Sequence, residues 1–259
     1  MCLILLAHRA HPDFPLVLAA NRDEFYARPT APARYWPDAP HVLGGRDLTA
    51  GGTWLGLARD GRWAAVTNYR DPPAARQGRP SRGALVAEFL RNHAAPHDYL
   101  DAVSADAGEY DGFNLLVGDL AGAHYLGNRA PDGANRRKLE PGLYGLSNHL
   151  LDTPWPKVAR GRRLLGELLD AGAPTTDALL GILYDTDVAP DDALPRTGID
   201  AEWERALSAS FIATPTYGTR ASTALIIDRR GHATFVERTF GPGPRREADV
   251  RFDLEMALP

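Results

Sequence analysis

The chain opens MCLILLAHRAHPDFPLVLAANRDEF, residues 1–25, and this stretch decides how the rest is read. Two short apolar runs, 2–7 and 16–20, flank a polar segment holding Pro12, Asp13 and Pro15. That pattern predicts a hairpin of two largely buried strands. The second run ends in Asn21-Arg22-Asp23-Glu24, so four polar side chains stand where a buried strand emerges, a place where functional loops gather. The one cysteine in 259 residues is residue 2, at the head of the first strand.

Working outward, the proline-rich segment 26–47 predicts a long irregular surface loop. Runs 54–58 and 63–68 flank Asp60-Gly61, a pair that favours hairpin turn geometry. After a polar loop at 69–82, Leu85, Val86, Phe89 and Leu90 recur at helical spacing within 83–93. A strand pair is expected at 113–118 and 123–127, and a further strand at 142–147. Val158, Leu164, Leu165, Leu168 and Leu169 mark a helix running from about Trp155 to Ala171 with Gly172 as its stop, and 175–184 reads as a short helix. The Asp- and Pro-rich span 185–202 is expected as loop. Late strands are expected at 211–214, 223–228 and 233–239, with 250–256 covering an edge. Strands at both ends with helices between them predict an α+β chain of antiparallel sheets covered by helices, in a single domain over 1–259.

A net charge of −4 and a pI near 6.1 give no reason to expect a nucleic-acid partner. A lone cysteine excludes an internal disulfide framework, and the histidine pairs His8/His11 and His93/His97 belong to no complete ligand set, so no metal site is expected. The run 2–7 is too short for a membrane span or a signal-peptide core, so the expected location is cytoplasmic.

Several residues carry chemistry beside a plainer structural role. Removal of Met1 leaves Cys2 with a thiol and a free α-amine on one residue; an α-amine titrating near about 8 acts as a general base near neutrality, and the plainer alternative is a small buried strand residue. Asp23 is placed to orient that amine and Arg22 to bind substrate or pair with a carboxylate, against a simple turn with an ion pair. Asn68 and Asn148 each end a strand, where an amide donates to a developing oxyanion or caps a turn. Arg220 supplies positive charge beside a thiolate or a substrate carboxylate, or caps a surface strand. Asn21, Arg22, Trp54 and Tyr69 are the expected substrate-binding residues.

Taken together, NRDEF (21–25), GGTWLG (51–56), VTNYR (66–70), SRG (81–83), FNLL (113–116), LSNHLLDTPWPK (146–157) and YGTRAST (217–223) resemble the NRDE family, also called the transport and Golgi organisation 2 family, over roughly residues 1–240. The resemblance implies a four-layer αββα sandwich of antiparallel sheets like that of N-terminal nucleophile hydrolases, related to cysteine-type penicillin V acylases and bile salt hydrolases. It implies Cys2 as nucleophile, Asn21 and Asp23 as the Asn-x-Asp string with the aspartate on the catalytic amine, Asn68 as the middle-strand asparagine, a looser match at Asn148 and Trp155, and Arg220 as the late arginine. The pattern breaks at Ala20, where those enzymes carry an arginine. Two functions follow as expectations. One is a cysteine amidohydrolase or acyltransferase acting on a small non-peptide amide. The other is a non-catalytic carrier on the same scaffold for haem or an acylated lipid, as implied by the family's links to haem trafficking and lipid metabolism. No cofactor is expected; haem enters only as a bound ligand of the carrier, with His8, His11 or Cys2 as candidate iron ligands.

Overall fold

The computed structural model describes residues 2–70, 78–130 and 133–256; Met1 and residues 71–77 of the loop expected at 69–82 lie outside the described residues. The strands are β1 (Cys2–His8), β2 (Leu16–Phe25), β3 (Thr30–Trp36), β4 (Ala39–Asp47), β5 (Leu55–Ala58), β6 (Trp63–Asn68), β7 (Phe113–Gly118), β8 (Ala123–Ala130), β9 (Gly133–Leu139), β10 (Gly142–Leu146), β11 (Tyr217–Ile227), β12 (His232–Phe240) and β13 (Arg246–Glu255). The helices are α1 (Arg82–Arg91), α2 (Pro96–Ala105), α3 (Pro156–Asp170), α4 (Thr176–Leu183) and α5 (Ala201–Ala206). None is long and apolar enough to cross a membrane among the described residues.

The chain divides into two compact units, each assembled from separate segments: Met1–Ala27, Pro141–Ser147 and Leu151–Asp253 in the first, and Arg28–Glu140, Asn148–Leu150 and Leu254–Pro259 in the second. The first holds a six-stranded sheet in the order β10-β1-β2-β11-β12-β13, the second a seven-stranded sheet in the order β3-β4-β5-β6-β7-β8-β9. Every pairing with a resolved register is antiparallel.

In the first unit the apolar run of β1 is buried on both faces, which is why it reads as continuous rather than alternating. Its odd residues Leu3, Leu5 and Ala7 join Val17 and Ala19 of β2 beneath Val158, Leu165 and Leu169 of α3 and Leu179, Leu180 and Leu183 of α4. Each buried leucine of that layer contributes roughly 1.5–3 kcal/mol. Gly161 sets how closely α3 approaches, because a Cβ there would stand 2.7 Å from Leu5 Cδ2. Gly172, at φ +125°, ends the helix run as expected. In the second unit Leu85, Val86, Phe89 and Leu90 of α1 and Tyr99, Leu100 and Val103 of α2 pack on Val42, Ala64, Val66, Leu115 and Val117 of the sheet.

The segment 26–47 corrects the expected loop: it forms β3 and β4. Proline is tolerated because β3 is an edge strand, and the β3–β4 register breaks between Ala31 and Arg34, around Pro32. Part of the expected 185–202 loop passes into α5, capped by Asp200, whose carboxylate accepts from Trp203 N. β11 begins at Tyr217, six residues ahead of the expected strand, and so carries the polar string YGTRAST into the sheet.

Candidate functional site

Cys2 heads β1 opposite Arg22 of β2, so the two side chains share one face of the sheet. The Ser147 hydroxyl donates to the Cys2 carbonyl at 3.0 Å and pins the strand end. Cys2 keeps partial exposure. Burial nevertheless pushes its thiol above the ordinary range, with the Asp23 charge adding to the rise; the Asp23 backbone N–H, which hydrogen-bonds the sulfur, and the Arg22 guanidinium pull the other way.

Asn21 and Asp23 occupy the opposite face, toward the helices. Asn21 Nδ2 donates to Leu183 O at 3.0 Å and Ser210 O at 2.7 Å, while its Oδ1 accepts from Ser222 Oγ at 2.6 Å. With both amide hydrogens and the carbonyl engaged at 1 % exposure, Asn21 clamps β2 to β11, to the end of α4 and to the segment after α5. Asp23 Oδ1 accepts from Thr219 Oγ1 at 2.7 Å, and that hydroxyl accepts in turn from Ile212 N at 2.9 Å. Tyr217 Oη donates to the Asp23 carbonyl at 2.9 Å. Burial raises the Asp23 carboxyl above the usual carboxylate range; Lys157 is the strongest influence holding it down, ahead of the Thr219 bond and Arg22.

Arg220 is the bulged residue of β11, where the register with β2 jumps from Thr219 to Ala221. Its guanidinium donates to the carbonyls of Phe25 (3.2 Å), Tyr26 (3.1 Å) and Phe240 (3.2 Å), stapling the ends of β2 and β12. The arginine across from the sulfur is Arg22, which also faces Glu24 at 3.9 Å.

The remaining expected residues belong to the second unit. Asn148 Nδ2 donates to Asn68 O at 2.8 Å, and Arg70 N donates to Asn148 O at 2.7 Å. Asn114 reaches the same loop, its Nδ2 donating to His149 O at 2.9 Å and to Thr67 Oγ1 at 3.1 Å while Oδ1 accepts from Tyr125 Oη at 2.7 Å. Tyr69 packs its ring 5.0 Å from that of His149, and Trp54 is a buried core residue against Gly45. The structure thus gathers Cys2, Arg22 and Asp23 at one strand end of the first unit, and in the second it joins Asn68, at the end of β6, to Asn148 by a hydrogen bond.

The iron-ligand expectation meets a geometric limit. His8 closes β1 six residues from Cys2, about 20 Å along an extended strand, so these two cannot share one iron. His11 lies in the turn beyond, its ring 5.1 Å from Phe14.

Lys157, Thr219 and Tyr217 were passed over in the sequence except as letters of longer motifs. Lys157 had a usable signal: a cation in the first turn of a helix opposes the helix dipole, in a chain whose basic residues are otherwise arginine apart from Lys138.

The fold resembles that of N-terminal nucleophile hydrolases. It is similar to the C2A mutant of conjugated bile acid hydrolase from Clostridium perfringens, with a TM-score of 0.58 at 10% identity over 98% of this chain and 92% of that one. It is also similar to the Caenorhabditis elegans N-acylethanolamine-hydrolyzing acid amidase ortholog, with a TM-score of 0.51 at 10% identity over 87% and 92%. Within that fold, the chain belongs to the Transport and Golgi organisation 2 family, whose profile matches residues 1–242. It is 40% identical to the Bos taurus Transport and Golgi organization protein 2 homolog over 95% of this chain and 96% of the relative. Against the Drosophila melanogaster Transport and Golgi organization protein 2 the identity is 28%, over 92% of each.

Proposed function

We propose that this protein is a carrier that binds an acylated small molecule on a hydrolase-like scaffold without turning it over. One observation carries the reading: burial pushes both Cys2 and Asp23 toward their neutral forms. Burial that disfavours the thiolate and the carboxylate alike suits an apolar acyl group and opposes thiolate attack. Ala20, standing where the resembled acylases have an arginine, removes a cation that would favour the thiolate. The names of the relatives, which speak of transport and Golgi organisation, support the same reading. Acyl cargo is preferred to haem because a thiol binds iron as the thiolate, and His8 is too far along β1 to assist. A four-layer αββα stacking and a cytoplasmic location are parts of this proposal, supported by the likeness to the bile acid hydrolase and by the expectations from sequence.

The second reading is amide hydrolysis, favoured by the Asp23 N–H on the Cys2 sulfur and by Arg22 opposite it. After loss of Met1, the neutral α-amine takes the thiol proton, Cys2 attacks the amide carbonyl, and Asp23 holds the amine. The departing amine leaves an acyl-enzyme that water cleaves. Titration of the purified protein with a fluorescent fatty N-acyl amide, followed by mass spectrometry for released amine, separates the two. The carrier reading expects saturable binding, retained in Cys2→Ala, with no amine released. Release by the native chain that Cys2→Ala abolishes would establish the hydrolase instead, and absence of saturable binding would reject both.

A further inference from the structure

Helix α3 descends toward the Cys2 end of β1. A Cβ at Gly166 would meet Leu143 Cδ1 at 3.1 Å, one at Gly145 would meet Val158 Cγ1 at 2.6 Å, and one at Gly161 would meet Leu5 Cδ2 at 2.7 Å. Leu143 stands opposite Ala7, and Gly145 opposite Leu5. From Gly166 to Gly161 the helix therefore moves from the level of Ala7 to that of Leu5, and Val158 still lies at the level of Leu5. Lys157 lies one turn before Gly161, on the stripe that continues through Leu165 and Leu169. Its side chain leans toward the helix N-terminus as helical side chains do, which is from the level of Leu5 toward that of Leu3 and its partner Asn21. A second contact fixes the neighbourhood: Asn21 Nδ2 bonds Ser210 O, and Ser210 and Lys157 wall the same pocket of about 170 Å³.

A lysine is costly in that place. It is 3 % exposed, and its charge sits in the first turn of α3, where the helix dipole is already positive. Ion pairs at the pocket rim, Arg160 to Asp185 at 3.0 Å and to Asp187 at 3.2 Å, leave Arg160 balanced by acids of its own. The acid on the buried sheet face below is Asp23, two residues along β2 from Asn21 and on the same side.

We propose that Lys157 is a positioning residue, the buried counter-charge that holds Asp23 for the site at the Cys2 end of β1. The inference rests on the reading of that strand end as the functional site, and its test needs no ligand, so the two fail separately. Asp23 is assigned in a carboxyl ¹³C NMR titration by its loss in Asp23→Asn, and followed in the native chain, Lys157→Met and Lys157→Arg. The Asp23 midpoint is expected to rise in Lys157→Met by about one pH unit, a roughly tenfold gain in proton affinity, and to return toward the native value in Lys157→Arg. A purely structural lysine would leave the midpoint unmoved in a folded Lys157→Met, which would overturn the proposal. Should Lys157→Met not fold, the double variant Asp23→Asn/Lys157→Met decides. Recovery of folding supports the pair, and failure of the neutral pair to fold shows that Lys157 serves something other than Asp23.

Discussion

Each unit buries a cluster of polar side chains, and the two clusters are built from opposite chemistry. Around Asn114 the groups are neutral: both ends of the amide are bonded, to Thr67, His149 and Tyr125, and the loop it holds is fixed again by Asn148 and Arg70. Around Asp23 the groups are ionisable, and burial works against the charged form of the thiol and the carboxyl alike. A satisfied neutral network rigidifies a loop and is indifferent to pH. A buried carboxyl with a raised proton affinity costs stability at neutral pH, and such groups concentrate where a protein does its work. The contrast sets a neutral, hydrogen-bonded cluster around Asn114 against an ionisable one around Asp23.

The comparison breaks most easily at Asn114. Asn114→Ala removes three hydrogen bonds at a site with 0 % exposure and leaves the Tyr125 hydroxyl and the His149 carbonyl without this partner. The expected loss is about 3 kcal/mol, read from urea unfolding, and it should be the same at pH 5 and pH 8. A loss that varies with pH across that range would mean that the second-unit cluster also titrates and that the contrast is false.

Asp23→Asn should move stability the other way, by a smaller amount. The folded-state proton affinity of Asp23 is raised above its ordinary value of 3.8. The protonated carboxyl is therefore the form the fold favours, and its contribution is fully present below the unfolded-state value and lost as pH rises through the folded-state value. An amide keeps the acceptor for Thr219 Oγ1 and cannot ionise. The variant should match the native chain in acid and exceed it at pH 8, by about 1.4 kcal/mol for each tenfold rise in folded-state proton affinity. A variant less stable than the native chain at pH 8 would show that the carboxylate is the favoured form and that this cluster is a structural ion pair.

How far the sequence exposed these features follows from what each depends on. The hairpin of β1 and β2, the Asp-Gly hairpin of β5 and β6, and the helices α1, α3 and α4 were legible because apolar periodicity and turn residues act locally. β3 and β4 were hidden because proline reads as loop until the strand is known to be an edge, and edges are defined only by the assembled sheet. The polar head of β11 was hidden for a related reason: Thr219 and Ser222 look like loop residues until Asp23 and Asn21 are placed opposite them. Cys2, Arg22 and Asp23 were found as a set because they sit within one hairpin. Lys157 was not, since Asp23, the group whose charge it influences, lies 134 positions away in the chain.

Tyr217→Phe is the smallest change and the one that sharpens the contrast inside the first unit itself. The hydroxyl donates to the Asp23 backbone carbonyl, a neutral acceptor, at 2.9 Å, while the ring keeps its edge contacts with Phe25 at 5.1 Å and Trp203 at 5.7 Å. Burial and the nearby Asp23 charge push the phenol well above its ordinary range, so it remains a donor throughout the pH range in which Asp23 titrates. Its removal should therefore cost about 1 kcal/mol, and the loss should stay level from acid to pH 8 while Asp23→Asn changes over the same interval. Two substitutions at one residue's two ends, backbone and side chain, would then give a flat and a sloped profile. If both slope together, the charge of Asp23 reaches its own carbonyl's partner strongly enough that the cluster acts as one titrating unit, and the separation between neutral scaffold and ionisable site must be drawn between the units instead of within the first.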